Sequence, residues 1–225
     1  MINLPQRDAN RSDGDRGRGR GSWRARVVLC IALALAASRG QAATPDPADT
    51  VRGFYATLLG TMRHGPALGA SGRYDRLEPA IRRSFDVRFM ARLAVGMGWD
   101  TLSSGQQQQM TDAFERYMVA TYADRFDSYS GENLEVTGQR ASGPGVIVQT
   151  RIVKSNGEPI GIDYLMRRNG EEWQISDVYL EGTISELATR RSEFSAILRD
   201  RGIAGLIVEL NKKSDLLAGA VPNSS

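Results

Sequence analysis

The chain predicts an α+β fold: one curved antiparallel sheet of four strands, with helices both N- and C-terminal to it packed against it. Three observations carry this. Apolar residues recur at helical spacing from Val51 to Phe126, the period changes to alternation between Asn133 and Leu180, and helical spacing returns from Ile184 to Leu210. No internal repeat is evident.

Taken in order, Pro45–Pro47 is a short extended lead in which Asp46 can cap a helix with Pro47 at its first position. Val51, Phe54, Tyr55, Leu58, Leu59 and Met62 form its apolar face, and Gly65-Pro66 ends it. A polar loop over Gly69–Gly72 leads to a second helix near Arg73–Ser84, with Tyr74, Leu77 and Ile81 inward and Pro79 as a point of kinking. Asp86 caps a short third helix carrying Phe89, Met90 and Leu93, which stops at Gly96 and Gly98 with Trp99 in the corner. Ser103 or Ser104, each with Gln three residues on, makes a capping box for one long helix. On it Met110, Phe114, Tyr117, Met118, Thr121, Tyr122 and Phe126 share one wide apolar face. A face this aromatic needs something large against it, either a filled core or a greasy ligand.

Four strands are expected: Asn133–Arg140, Val146–Lys154, Ile160–Arg168 and Glu172–Leu180. A two-residue turn at Asn169-Gly170 sets Met166 opposite Trp173, Tyr164 opposite Ile175, and Arg167 opposite Glu172 as an ion pair on the other face. An odd loop over Ser155–Pro159 sets Ile152 opposite Ile162 and Val148 opposite Met166. It keeps Arg151 off the apolar face, which a one-residue slip would reverse. Ile184, Leu187, Phe194, Ile197 and Leu198 then form a helical stripe ending near Gly202. Ile203, Leu206, Ile207 and Leu210 form another before a polar tail from Lys212, with 213–225 expected to be disordered.

Charge is unevenly placed. Residues 1–43 hold eight of the 29 Lys+Arg and three of the 26 Asp+Glu, so the remainder is slightly acidic and offers no broad basic surface for nucleic acid. Arg16–Arg26, the apolar run Val27–Ala37 and the small residues about Gly40-Gln41-Ala42 follow the order of a secretory signal peptide, 1–42, cleaved after Ala42. The run is too short to cross a bilayer, and Arg24-Ala25-Arg26 lacks a twin-Arg pair, which favours general (Sec) secretion. The one cysteine, Cys30, lies inside that run, and Leu29 before it is too bulky for a lipoprotein site. The remaining chain, 43–225, then has no disulfide, thiolate nucleophile or Cys-bound metal, and its single histidine, His64, argues against a His-based metal site or a Ser-His-Asp triad. No cofactor is expected.

Two candidates for function remain. Asp177, by the turn register above, shares the apolar face with Trp173, Ile175 and Ile162; it is either an acid/base group or a carboxylate held by structural hydrogen bonds. The other is a cavity among large side chains. Its expected lining is Phe54, Tyr55 and Leu58 of the first helix, Phe89, Met90 and Leu93 of the third, and Phe114, Tyr117, Met118 and Tyr122 of the long one. The sheet adds Val148, Ile152, Ile162, Tyr164, Met166, Trp173 and Ile175.

The chain resembles the MlaC-type periplasmic phospholipid-binding proteins, the toluene-tolerance family. The likeness rests on Phe85, Asp86, Met90, Ala91, Ala94, Gly96, Trp99, Leu102, Gln106 and Phe114 in one segment. A second segment adds Trp173, Asp177, Val178, Gly182 and Ser185, and Arg190–Phe194 follows it. Phe126–Val136 leans toward the hopanoid-biosynthesis-associated HpnM branch. Thr183-Ile184 stand where the family more often has a single Val or Ile. The resemblance implies an NTF2-like cone of sheet and helices enclosing an apolar cavity, over residues 43–212. It implies a monomeric soluble carrier in the periplasm for a phospholipid or hopanoid-like lipid, without catalysis. Such a carrier would exchange lipid with an inner-membrane ABC complex bearing MCE domains and with an outer-membrane partner. The rival is an isomerase- or hydratase-like enzyme on a similar cone using Asp177.

Overall fold

The computed structural model describes residues 45–219; the expected signal peptide and residues 220–225 lie outside the described residues. Helix α1, Pro47–Arg63, starts as its chemistry dictates, with the Asp46 carboxylate accepting from the Ala48 amide at 3.1 Å and Pro47 in the first turn. It buries Val51, Phe54, Tyr55, Leu58 and Met62, and Thr50 donates to the Trp173 carbonyl at 2.9 Å. Helix α2, Gly65–Ser84, differs from expectation. The Gly69–Gly72 loop is a single-residue break at Gly69 (φ 64°), and the chain stays helical on both sides. Positive φ at a residue without Cβ turns the chain in one step, so its neighbours need not leave the helix. Pro79 does not break the helix.

Asp86 caps helix α3, Val87–Val95, accepting from the Phe89 amide at 3.1 Å. A 3₁₀ turn, Gly96–Thr101, buries Trp99, and the Ser103/Gln106 capping box opens helix α4, Ser104–Arg125. The last helix, α5, Glu186–Leu217, joins the two expected stripes across a kink at Gly202 (φ 63°). It runs into the segment expected to be a disordered tail. There Ser214 is buried with its hydroxyl on the Leu210 carbonyl, and Asp215 pairs with Arg116 of α4 at 2.9 Å.

The sheet has five strands, not four, in sequential antiparallel order: β1 Asn133–Ser142, β2 Gly145–Val153, β3 Pro159–Asn169, β4 Glu172–Leu180 and β5 Ile184–Ser185. The added strand is a two-residue edge that pairs Ile184 with Leu180, and it leaves Ile184 exposed rather than in a helical stripe. Both expected hairpin registers are displaced. The β3–β4 turn is Gly170-Glu171, which sets Asn169 opposite Glu172, Arg168 opposite Trp173 and Met166 opposite Ile175. Arg167 therefore faces Gln174 across the strands, and its ion pair is with Asp86. The β2–β3 loop is odd, as expected, but one residue earlier. Ile152 lies opposite Ile160, Thr150 opposite Ile162 and Val148 opposite Tyr164, with Pro159 opening β3. Moving a turn by one residue moves each partner by two, so side chains keep their faces. Arg151 is exposed and pairs with Glu135 at 2.6 Å.

The expected face of Asp177 does change. The pairing shifts from Met166–Ile175 to Leu165–Asp177, which makes Ser176 a β-bulge. Beyond it Val178 pairs with Tyr164 and Leu180 with Ile162, so these take the apolar face that alternation had assigned to Asp177. The core lies between the sheet, α1 and the α3–α4–α5 layer, around Phe54, Phe85, Met110, Met166, Ile175 and Phe194.

Candidate functional site

A pocket of about 140 Å³ lies between α4, the β3–β4 face and the first turns of α5. From α4 come Phe114, Tyr117, Met118, Thr121 and Tyr122, three and four residues apart on one side of the helix, with Arg125 and Phe126 at its end. Ile162 and Tyr164 of β3 and Val178 and Leu180 of β4 face them. Phe85 and Met90 close one side, and Glu186, Leu187 and Arg190 of α5 close the other.

The aromatic wall is internally packed. Tyr122 stands edge-on to Phe54, ring centres 5.4 Å apart, and stacks on Phe126 at 5.8 Å, while Phe114 meets Phe194 edge-on at 6.2 Å. Burial pushes the Tyr122 and Tyr164 phenols well above their ordinary range, so both are neutral, full hydroxyls at physiological pH. Charge enters the lining only at Arg125, Glu186 and Arg190. Arg190 lies over the Tyr117 ring, donates to its hydroxyl at 3.0 Å and pairs with Glu193 at 2.9 Å and Glu186 at 3.6 Å. Burial works against that guanidinium's charge, but Tyr117, Glu193 and Glu186 together outweigh it and hold its pKa above the ordinary value.

Seven of the seventeen residues expected to line a cavity meet at this pocket: Met90, Phe114, Tyr117, Met118, Tyr122, Ile162 and Tyr164. Phe54, Tyr55, Leu58, Val148, Met166 and Ile175 are instead packed core, each almost wholly buried and outside the lining. Ile152 and Trp173 are half-buried elsewhere on the sheet. Phe89 and Leu93 point away from the pocket, because α3 presents only its Met90 face there. Arg167 lies over the Phe89 ring at 4.1 Å, and Leu93 is 40% exposed. Of the lining residues not anticipated, Thr121 and Phe126 continue the α4 spacing. Val178 and Leu180 were hidden by the bulge, and Arg125, Glu186 and Arg190 carry charges that no apolar pattern finds.

Asp177 is outside this lining. It is buried and accepts three hydrogen bonds, from the Val178 amide at 2.8 Å, the Ser185 hydroxyl at 2.6 Å and the Leu187 amide at 3.1 Å. Two of these donors sit at the start of α5, so the carboxylate seats that helix on β4. Among the described residues no group of three or more His, Cys, Asp or Glu is placed to hold a metal ion, and no helix is long and apolar enough to cross a membrane.

A sequential antiparallel sheet and a helical layer across it thus enclose an apolar pocket between them. The chain belongs to the MlaC protein family, whose model matches residues 54–212. Among its relatives is the toluene tolerance protein Ttg2D of Pseudomonas putida, 23% identical over 185 residues that cover 80% of this chain and 83% of that one. Among solved structures it superposes on a phospholipid-binding protein from Ralstonia solanacearum, determined in complex with a phospholipid. The TM-score is 0.67 at 24% identity, covering 77% of this chain and 99% of that one.

Proposed function

We propose that the protein is a lipid carrier that shelters acyl chains in the pocket between α4 and the β3–β4 face. The observation that carries this is the make-up of the lining: hydrocarbon and aromatic side chains from α4, β3, β4 and α5, with charge only at Arg125, Glu186 and Arg190. Family membership and the phospholipid-bound Ralstonia neighbour support the same ligand class. Burying a methylene is worth about 0.8 kcal/mol, so a sixteen-carbon chain gains on the order of 10 kcal/mol against water. The wall offers that burial without a fixed polar clamp, so the ligand leaves about as readily as it enters a membrane.

At about 140 Å³ the pocket is smaller than the roughly 300–1,000 Å³ of sites for drug-sized ligands, so loading a chain widens it. Met90 and Met118, unbranched and adaptable, are suited to that repacking. Further parts of the proposal follow from the sequence and from the family. The chain acts in the periplasm after general secretion, as a monomer. It carries a phospholipid or hopanoid-like lipid and exchanges it with an inner-membrane MCE-domain ABC complex and an outer-membrane partner. It does so without catalysis, since the one acid considered for chemistry, Asp177, has its oxygens committed to α5 and β4. Native mass spectrometry of protein released gently from the periplasm tests the carrier reading. A lipid-sized mass increment is expected, and protein that is lipid-free both as isolated and after incubation with phospholipid vesicles would overturn it.

A further inference from the structure

The pocket is not uniformly greasy: of its three phenols, Tyr117 is taken by Arg190, and Tyr122 and Tyr164 are the exception. Among the described residues every fully enclosed side-chain nitrogen or oxygen has a partner. Among those residues the Tyr122 hydroxyl makes no hydrogen bond and therefore keeps accessible surface, and Tyr122 is a half-buried residue of the pocket lining. The Tyr164 hydroxyl likewise makes no hydrogen bond among the described residues: neighbouring Tyr55 is engaged with the Thr150 hydroxyl at 2.6 Å, whose own proton goes to the Ile162 carbonyl. The facing walls, α4 and β3, thus each offer one phenol hydroxyl able to donate and to accept, Tyr122 and Tyr164.

Phenylalanine at both positions would make a drier pocket for plain hydrocarbon. With tyrosines, water can satisfy the hydroxyls of the empty pocket, and a ligand that displaces that water must replace its hydrogen bonds or lose affinity. A methylene cannot do so, and a carbonyl can only accept. A hydroxyl can do both, accepting from one phenol while donating to the other.

We propose that the pocket prefers lipids that carry a hydroxyl group on the buried acyl chain over lipids whose chain is unsubstituted. This rests on the lipid-carrier reading and narrows it to hydroxyacyl lipids. The preference runs against simple partition: a hydroxyl entering an apolar pocket without partners is penalised, so enrichment of the hydroxylated species signals specific recognition.

The test offers the delipidated protein equal amounts of stearoyl lysophospholipid and its mid-chain hydroxystearoyl counterpart, with occupancy read by native mass spectrometry. The hydroxylated lipid is expected in about fivefold excess, the ratio that corresponds to one net hydrogen bond of about 1 kcal/mol. In the Tyr122→Phe/Tyr164→Phe double variant, which keeps both rings, the ratio is expected to fall to one or below. A ratio near one in the unaltered protein, with the plain lipid loaded, overturns the preference and leaves the carrier reading standing. An excess that survives in the double variant also overturns it. If neither lipid loads, the carrier reading falls and this inference falls with it.

Discussion

Replacing Asp177 by asparagine keeps the size of the side chain and removes its charge. The carboxylate accepts from the Val178 and Leu187 amides and the Ser185 hydroxyl, at 2.8, 3.1 and 2.6 Å. Hydrogen bonds to a charged acceptor contribute about 1.5–3 kcal/mol each and neutral ones about 0.5–1.5. Asparagine keeps one carbonyl oxygen for the amides but turns an NH₂ toward Ser185. That hydroxyl already accepts from the Ala188 amide at 2.9 Å, so it is poorly placed to accept again. Loss of the negative charge beside the first turn of α5 adds about 0.3–1 kcal/mol. Together Asp177→Asn should cost about 2–4 kcal/mol, which for a domain of this size lowers Tm by roughly 5–15 °C. Urea denaturation followed by circular dichroism measures it, with an unchanged m-value expected. Ser185→Ala, alone and combined with Asp177→Asn, should show a coupling of about 1 kcal/mol or more. A cost below about 0.5 kcal/mol, or strict additivity with Ser185→Ala, would refute the assignment of this carboxylate as the seat of α5.

Two other outcomes are expected. Met118→Trp puts a larger, rigid side chain into the pocket wall. It should sharply reduce lipid co-purifying with the folded protein, measured by extraction and mass spectrometry, and undiminished loading would remove Met118 from the site. The buried phenols make stability depend on alkaline pH. Burial raises the pKa of Tyr55, Tyr122 and Tyr164 above the ordinary 10.0, so above about pH 10 the unfolded chain has lost protons that the folded chain still holds. Their contribution is therefore complete below pH 10 and is lost as pH rises beyond it. Denaturant midpoints should fall steadily above pH 10 for the unaltered protein and less steeply for Tyr122→Phe, and parallel slopes would contradict the burial described.

What could be read from sequence follows the range of the forces involved. The Asp46 and Asp86 caps and the Ser103 cap, one of the two serines that offered a capping box, are chemistry among residues two or three apart, and the structure forms all three. The α4 half of the pocket was legible for the same reason, since helical spacing alone aligns Phe114, Met118 and Tyr122. The β4 half was not. The bulge at Ser176 answers a distant demand, an acceptor for the start of α5, and alternation cannot register one extra residue. Periodicity also says which way Phe54, Tyr55 and Leu58 point but not what lies opposite. These proved to be packed core rather than lining. Gly69 lay in a recognisable stretch of small residues, yet one positive φ was enough where a four-residue loop had been expected.

The far end of α4 has an unusual attachment. Arg73 of α2 donates to the Ala123 carbonyl at 2.7 Å and to the Gly65 carbonyl at 3.1 Å, tying the last turn of α4 to the corner between α1 and α2. At that corner Gly65 lies so close that a Cβ would stand 1.8 Å from the Asp127 carbonyl oxygen, and any side chain there would push the two segments apart. By contrast, Arg116 of α4 reaches Asn211 and Asp215 of α5 through exposed contacts at 3.2 and 2.9 Å, of the kind that solvent weakens. The α4 helix is thus bolted to the α1–α2 corner at its last turn, while its middle meets the tail of α5 through contacts that solvent loosens.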